Sequence, residues 1–245
     1  MKTLIRSLLL KCIPKKVANF IFYHHPVYIN SIHSSNSFSQ EGEDMVLKRV
    51  FQNKQKGTYV DIGAHHPSVF SNTNYFYQQG WNGINIDGLP GSKINFDKER
   101  PRDINLELLV SETEEDIEFY LFEPSLMNTT SKKQAEANSK FDWCLPKGST
   151  MVHSVPLSKI LEQYLEPDTK IDFMSIDVEG AEMSVLKSNN WDIYKPDVLL
   201  IEFIDLSIED ILQSEIHIFL SRLHYNLFAK TGNTVFYKQK GFFEF

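Results

Sequence analysis

The stretch TYVDIGAHH, Thr58 to His66, changes character at its middle. Its first half is β-branched, aromatic and nearly all apolar, the composition of a strand buried on both faces in a parallel sheet. Asp61 then interrupts the apolar run, and Gly63 opens a loop, GAHHPSVF. Ser71, Asn72 and Thr73 follow, and all three residue types cap helix N-termini well. NYFYQQ is therefore read as a helix running to Gly80. Strand, glycine loop and helix make the opening half of a βαβ unit.

Upstream, SIHSSNS reads as a linker, and an amphipathic helix is expected over Glu41 to Phe51, with Met45, Val46, Val50 and Phe51 at helical spacing. Downstream, GINID is a second strand ending at Asp87, and a helix should begin just after Pro90. INLELLV is the third strand, SETEED an acidic turn, and IEFYLF alternates like an exposed strand. Residues 123–150 lose clear periodicity and are too long for a simple connection, so they read as an acceptor-side insertion or lid. MVHSVPL, SKILEQYL, IDFMSID, EGAEMSVLKS and DVLLIEF continue the strand–helix alternation. One long helix is expected over Ile208 to Leu223, followed by strands NLFAK and TVFYKQ. Only Thr231-Gly232-Asn233 separates those two strands, so they must run antiparallel. The fold class is α/β, a Rossmann-like, mostly parallel sheet of seven strands closed by a C-terminal antiparallel hairpin. That hairpin matches the methyltransferase variant of the architecture.

With 245 residues, 42% of them hydrophobic and 23% charged, the chain suits one globular α/β domain with additions. The formal charge of −7 opposes a surface devoted to nucleic-acid phosphates. Cys12 and Cys144 lie far apart and make no metal-ligand cluster, so a reducing cytoplasm is the default. No run reaches the roughly 20 apolar residues that span a bilayer. Residues 1–37 form a basic segment carrying Lys2, Arg6, Lys11, Lys15 and Lys16, with no acidic residue before Glu41. Two readings stay open: a helix packed on the catalytic domain, or peripheral contact with an anionic membrane surface. The catalytic domain is assigned to residues 38–240, with 241–245 as a tail.

Ligands of open α/β sheets bind beyond the carboxyl ends of the strands. That rule selects Asp61, Gly63, Ala64 and His65 after the first strand, Asp87 after the second, Ser111 and Glu112 after the third, and Asp177 and Glu179 after IDFMSID. VDIGA lacks the closely spaced glycines of a pyrophosphate loop. It suits a cofactor with an amino-acid head, whose ammonium can meet Asp61. Gly63 admits close backbone approach, and Asp87 can accept hydrogen bonds from two ribose hydroxyls. Backbone amides around Asn72 and Thr73 could hold a carboxylate at a helix N-terminus.

SQEGED (Ser39 to Asp44), YVDIGAHHPSVFSNT (Tyr59 to Thr73), GWNGINIDGLP (Gly80 to Pro90), RPRDI (Arg100 to Ile104) and IDVEGAE (Ile176 to Glu182) occur in this order. Together they resemble the FkbM family of methyltransferases, over roughly Phe38 to Tyr237. The resemblance implies S-adenosylmethionine as cofactor and O-methylation of a sugar, glycan or other small hydroxylated acceptor, often in polysaccharide or glycolipid synthesis. Two positions depart from the family pattern. His65 stands where Asn is usual, and Asp87 where Glu is frequent.

Methyl transfer from a sulfonium is an in-line displacement, governed by alignment and exclusion of water. A sugar hydroxyl is a weak nucleophile, so a general base is expected. Asp177 and Glu179 are the candidates, with His153 or His65 as substitutes nearer neutrality. Glu179 and Glu182 would also suit the first turn of a helix without any catalytic role. Mg²⁺ at these carboxylates is the less favoured reading, because no dedicated ligand set is visible. Adjacent histidines (His24-His25, His65-His66) make poor metal pairs. Arg100 and Arg102 are read as structural or surface residues, Trp81 and Trp191 as core, and Trp143 as an aromatic that could face a sugar ring. The rival functions are a nucleic-acid methyltransferase, for which no NPPY-like motif is present, and a degenerate domain acting as a non-catalytic partner in a glycan or lipid synthesis complex.

Overall fold

The computed structural model describes Val17, residues 35–204 and residues 206–242. The chain divides into two compact units, Met1–Ser37 and Phe38–Phe245. The basic amphipathic segment expected within residues 1–34 lies outside the described residues, Val17 excepted, and the account below concerns the second unit.

Its elements follow in chain order: α1 (Glu43–Val50), β1 (Thr58–Ile62), α2 (Asn74–Gln78), β2 (Asn82–Asp87), α3 (Ser92–Glu99), β3 (Ile104–Glu107), β4 (Leu109–Val110), β5 (Glu115–Glu123), α4 (Lys132–Asn138), β6 (Leu145–Val155), α5 (Leu157–Tyr164), β7 (Phe173–Ile176), α6 (Glu182–Ser188), β8 (Val198–Glu202), α7 (Ile208–Gln213), α8 (Glu215–Arg222), β9 (Tyr225–Lys230) and β10 (Thr234–Gln239). Seven strands form one sheet in the order β3-β2-β1-β7-β8-β10-β9. The first five are parallel, and β10 runs antiparallel to both its neighbours. The Rossmann-like sheet with a terminal antiparallel hairpin is thus the observed architecture.

Alternation along each strand sends side chains to two buried faces. Val60, Ile62, Leu199 and Ile201 join the core formed with Leu157, Leu161, Val185 and Leu220 of the helices. Tyr59, Phe173, Val198 and Leu200 face an aromatic core with Phe51, Phe76 and Trp81. There the ring of Phe76 lies 4.8 Å from Trp81 and 4.9 Å from Phe173. Trp81 is core as expected, and Trp191 packs edge-on against Phe219 and Tyr225.

The SQEGED motif ties the start of the domain to its end. The Asn233 amide donates to the Glu41 carboxylate at 2.8 Å, and the Thr231 hydroxyl donates to Glu43 at 2.5 Å. A side chain at Gly232 would collide with Glu41, so the turn between β9 and β10 is closed by this contact.

Three expectations need correction. INLELLV is not one strand: it breaks at Leu108, and Leu109–Val110 enters a second sheet of order β4-β6-β5. The stretch 123–150 is not irregular throughout, since it holds α4 and the first part of β6. Its exposed side chains hide the strand periodicity, with Leu145 and Met151 both facing solvent. The expected single helix over Ile208 to Leu223 is two helices, because Ser214 is extended and its hydroxyl caps α8 at the His217 amide.

Arg100 is not a surface residue. It is 1% exposed, pairs with Asp103 at 2.8 Å, and donates to the Tyr59 hydroxyl at 2.8 Å and the Thr73 hydroxyl at 2.9 Å. Asp103 in turn accepts from the Gly83 amide and Asn85. Arg102 stacks on Tyr77 with its guanidinium 3.8 Å from the ring centre. Removing one member of a buried, hydrogen-bonded ion pair strands the other. Arg100→Ala is therefore expected to lower unfolding stability by about 3–5 kcal/mol in urea titrations, and Arg102→Ala, whose partner is uncharged, by about 1 kcal/mol.

Candidate active site

One cavity of about 500 Å³ opens at the carboxyl ends of β1, β2, β7 and β8. Asp61, Gly63, Ala64, His65, Asn72, Asp87, Asp177 and Glu179 all line it, so the strand-end rule brings these residues together. Gly63 has φ +80°, and an added Cβ would collide with the Asp177 carbonyl oxygen. The β1 and β7 tips approach this closely only because position 63 carries no side chain.

Asp61 is 4% exposed and accepts from the Thr73 hydroxyl at 2.7 Å. Burial pushes its carboxyl up to about 6, and the Thr73 hydrogen bond and the Arg100 charge oppose that rise. Asp87 is fixed from both sides, by the His65 amide at 2.7 Å and the Leu89 amide at 2.7 Å. Burial raises its pKa as well. His65 has φ +53°, a left-handed conformation that Asn and His adopt more readily than most residues. This accounts physically for His in a place where Asn is usual. Burial lowers the pKa of His65, and its Nδ1 is buried without a partner.

Asp177, Glu179 and Glu202 form a carboxylate triad whose closest oxygens all lie within 4.8 Å of one another. Burial and mutual repulsion push Asp177 and Glu202 above the usual carboxylate range, Glu202 the further. Burial among like charges favours a proton held between the two. Burial, with the charges of Asp177 and Glu182 nearby, raises Glu179 to about 8. Glu179 has φ +53°, and its carbonyl accepts from the Thr129 hydroxyl of the excursion between β3 and β7 at 2.7 Å.

Several expected residues belong elsewhere. Ser111 and Glu112 do not line the cavity. Ser111 donates to the Thr113 carbonyl and meets Ser154, and the Glu112 amide reaches Ser184, because the chain has already turned into the second sheet at Leu109. Leu108, Leu109 and Val110 line the cavity in their place, with Phe119. Thr73 is fully buried behind Asp61 and positions it without facing the cavity. His153 is exposed on β6 beside Glu114 and Asp116, away from the cavity. Glu179 precedes the first turn of α6, which starts at Glu182. The Glu182 carboxylate folds back onto the Gly180 amide at 3.0 Å.

Glu202 is the residue that sequence reasoning passed over. It ends β8 as Asp177 follows β7, so the same strand-end rule finds it. Gln134, Asn138 and Phe141, also on the cavity wall, stand in a stretch whose sequence carries no such marker.

Because the folded state holds the Glu179 proton up to about pH 8 and an unfolded chain releases it near the ordinary 4.5, its contribution is stabilising at acid pH. That contribution is full below 4.5 and is lost as pH rises through 8. The ligand-free Glu179→Gln protein should match wild type within about 1 °C in melting temperature at pH 4.5 and exceed it by about 4 °C or more at pH 8.5. A difference independent of pH would place the Glu179 proton elsewhere.

Known proteins can be compared with this geometry. A model of the methyltransferase FkbM domain matches residues 61–227. None of the curated proteins matches the sequence. Among solved structures, a TehB-like SAM-dependent methyltransferase from Corynebacterium glutamicum is similar at 11% identity, covering 91% of this chain and 99% of its own, with a TM-score of 0.42. A candidate RNA methyltransferase from Pyrococcus horikoshii is similar at 9% identity, covering 81% of this chain and 83% of its own, with a TM-score of 0.40. The match over residues 61–227 runs from the end of β1 into β9 and so includes the carboxyl ends of β1, β2, β7 and β8 that bound the cavity. The chain belongs to the FkbM methyltransferase family and is an S-adenosylmethionine-dependent methyltransferase.

Proposed function

We propose that the enzyme methylates a hydroxyl of a sugar, glycan or related small metabolite, with Asp177 receiving the hydroxyl proton. The observation that carries this reading is the carboxylate triad: a donor of hydroxyl protons would enter a wall of three carboxyl groups whose closest oxygens lie within 4.8 Å of one another. S-adenosylmethionine supplies the electrophilic methyl group and carries positive charge on its sulfonium and ammonium. The residues present fit that group. Asp61 and Asp177 place carboxylates where cations are needed, and burial holds the pKa of each above the ordinary carboxylate range. Asp87, still open to the cavity, can take ribose hydroxyls. Leu108, Leu109, Val110 and Phe119 offer an apolar wall for a planar base.

In this scheme Glu202 donates its hydrogen bond to Asp177 and so keeps Asp177 ionised near neutrality. Asp177 would accept the proton as the new O–C bond forms and the methyl–sulfur bond breaks, its electron pair leaving on the sulfur. Glu179, protonated below about pH 8, donates to an acceptor oxygen and orients it. Water is kept from the reacting atoms by the excursion between β3 and β7, which Thr129 ties to the Glu179 carbonyl.

A divalent cation such as Mg²⁺ is the second reading of the triad, since carboxylate oxygens within 4.8 Å of one another can share an ion. We favour the base, because burial and like charge raise the pKa values of Asp177 and Glu202, which suits a proton held between them. The partner class proposed is a small hydroxylated or glycan acceptor rather than nucleic acid, in keeping with the −7 charge. Cytoplasmic placement, with or without peripheral membrane contact by residues 1–37, is proposed on the sequence alone. Among the described residues no helix is long and apolar enough to cross a membrane.

Asp177→Asn should retain S-adenosylmethionine affinity within about tenfold by calorimetry while kcat falls about 10²–10⁴-fold. Turnover within threefold of wild type would remove Asp177 from proton transfer. Asp61→Ala should abolish micromolar cofactor binding. Since Asp61 ionises near 6, wild-type affinity should strengthen as pH rises from 5 to 7, and Asp61→Asn should flatten that dependence. Chelation with EDTA should leave kcat unchanged. A loss restored by Mg²⁺ would assign the triad to the metal.

A further inference from the structure

Phe141 and Trp143 are 48% and 57% exposed, yet both line the cavity, so they stand at its rim. Their rings are stacked, 5.4 Å between centres and 25° between planes. Large apolar side chains left in water beside a binding cavity mark a surface that a ligand covers. The pair is also held in place. It occupies the turn between α4 and β6, where the Phe141 amide donates to the Asn138 carbonyl at 3.1 Å and the Cys144 amide to the Phe141 carbonyl at 3.0 Å. Asn138 is fully buried, with its side chain bonded to the Met127 carbonyl and to Gln134. Cys144, 1% exposed, anchors the turn in a small core with Phe122 and Ala135. The platform is therefore preorganised and loses little freedom when covered.

The cavity must hold the cofactor and the reacting hydroxyl together. Its volume of about 500 Å³ lies within the roughly 300–1,000 Å³ range of sites for one small ligand. Whatever extends from the methylated group must leave past the rim. An alkyl chain laid on an open aromatic face would keep much of its surface in water. A sugar ring presents one apolar C–H face and keeps its hydroxyls wet, so an open platform suits it.

Resting on the O-methyltransferase reading above, we propose that Phe141 and Trp143 form a subsite for a second sugar ring, one position removed from the ring that is methylated, and that the natural acceptor is an oligosaccharide or glycoconjugate. The subsite sets acceptor affinity and takes no part in methyl transfer.

The test uses the full chain with S-adenosylmethionine and the methyl glycosides of glucose, galactose, mannose and rhamnose as single rings, disaccharides and trisaccharides, with octyl glucoside as the alkyl probe. For the sugar that is methylated, the disaccharide should show a KM about tenfold below that of the single ring, with kcat equal within threefold. Trp143→Ala and Phe141→Ala should each erase that gain while leaving single-ring turnover and cofactor affinity unchanged, and Trp143→Phe should preserve it. Binding of the disaccharide to the enzyme loaded with S-adenosylhomocysteine should quench tryptophan fluorescence in wild type and not in Trp143→Phe. A disaccharide no better than the single ring, a gain that survives Trp143→Ala, or a larger gain from the octyl chain overturns the subsite while leaving the sugar reading intact. Failure to methylate any glycoside overturns both.

Discussion

The Arg100 guanidinium reaches across the sheet from the loop before β3 and contacts two other parts of the domain at once. It pairs with Asp103 of its own loop and donates to the Tyr59 hydroxyl of β1 and the Thr73 hydroxyl ahead of α2. Thr73 passes the influence to Asp61 through its own hydrogen bond. A buried cation with fewer partners would be too costly to keep. With these it fixes the spacing of β1, β2 and β3, whose tips carry the cavity's first two carboxylates. The same positive charge opposes the desolvation of Asp61 and keeps its pKa from rising further. The architecture and the electrostatics of the cofactor side thus depend on one side chain that faces no ligand.

Around that cation the cavity gathers an excess of negative charge. Asp61, Asp87, Asp177, Glu179 and Glu202 are all displaced upward from the ordinary carboxylate range. The ligand-free protein relieves the repulsion by holding protons, above all on Glu202 and Glu179. A cationic cofactor changes that balance, since each positive charge placed among these groups favours their ionised forms. Binding and proton release are therefore linked, and the site becomes competent as a base when its cation arrives. On the proposed function, the same carboxylates that destabilise the ligand-free fold at high pH would supply the affinity for the cofactor.

How much of this was legible in the sequence follows from how each residue is constrained. The central strands announced themselves because burial on both faces leaves an apolar run ended by a carboxylate, as in YVDIG and FMSID. The terminal hairpin was legible because a three-residue connection leaves no other geometry. Legibility failed where the chain left the main sheet. Leu109 and Val110 look like a continuation of β3, and only the second sheet, paired through β6 far along the chain, draws them away. That displacement carried Ser111 and Glu112 out of the cavity. Thr73 was assigned to the ligand when its contact is with the Asp61 carboxylate, a distinction that needs side-chain direction rather than position. Arg100 stayed open between a structural and a surface role because a charged residue in RPRD carries no sign of burial; its partners, Tyr59 and Thr73, are distant in sequence. Glu202 was readable by the rule that found Asp177, and was missed because DVLLIEF was treated as scaffold.

The cofactor side and the acceptor side of the cavity are built by different means. Asp61, Asp87 and Asp177 stand at strand tips, where a shift would break the sheet, so their geometry is inherited with the fold. Phe141, Trp143, Gln134 and Asn138 come from an excursion that crosses the main sheet nowhere and touches its chemistry through Thr129 and Glu179. Such a segment can change its rim without disturbing the tips. Methyl transfer from an already activated donor requires chiefly alignment, so choosing the acceptor reduces to choosing what the excursion presents. On the proposed function, the turn between α4 and β6 would choose the acceptor, and the carboxylates beneath it would do the chemistry.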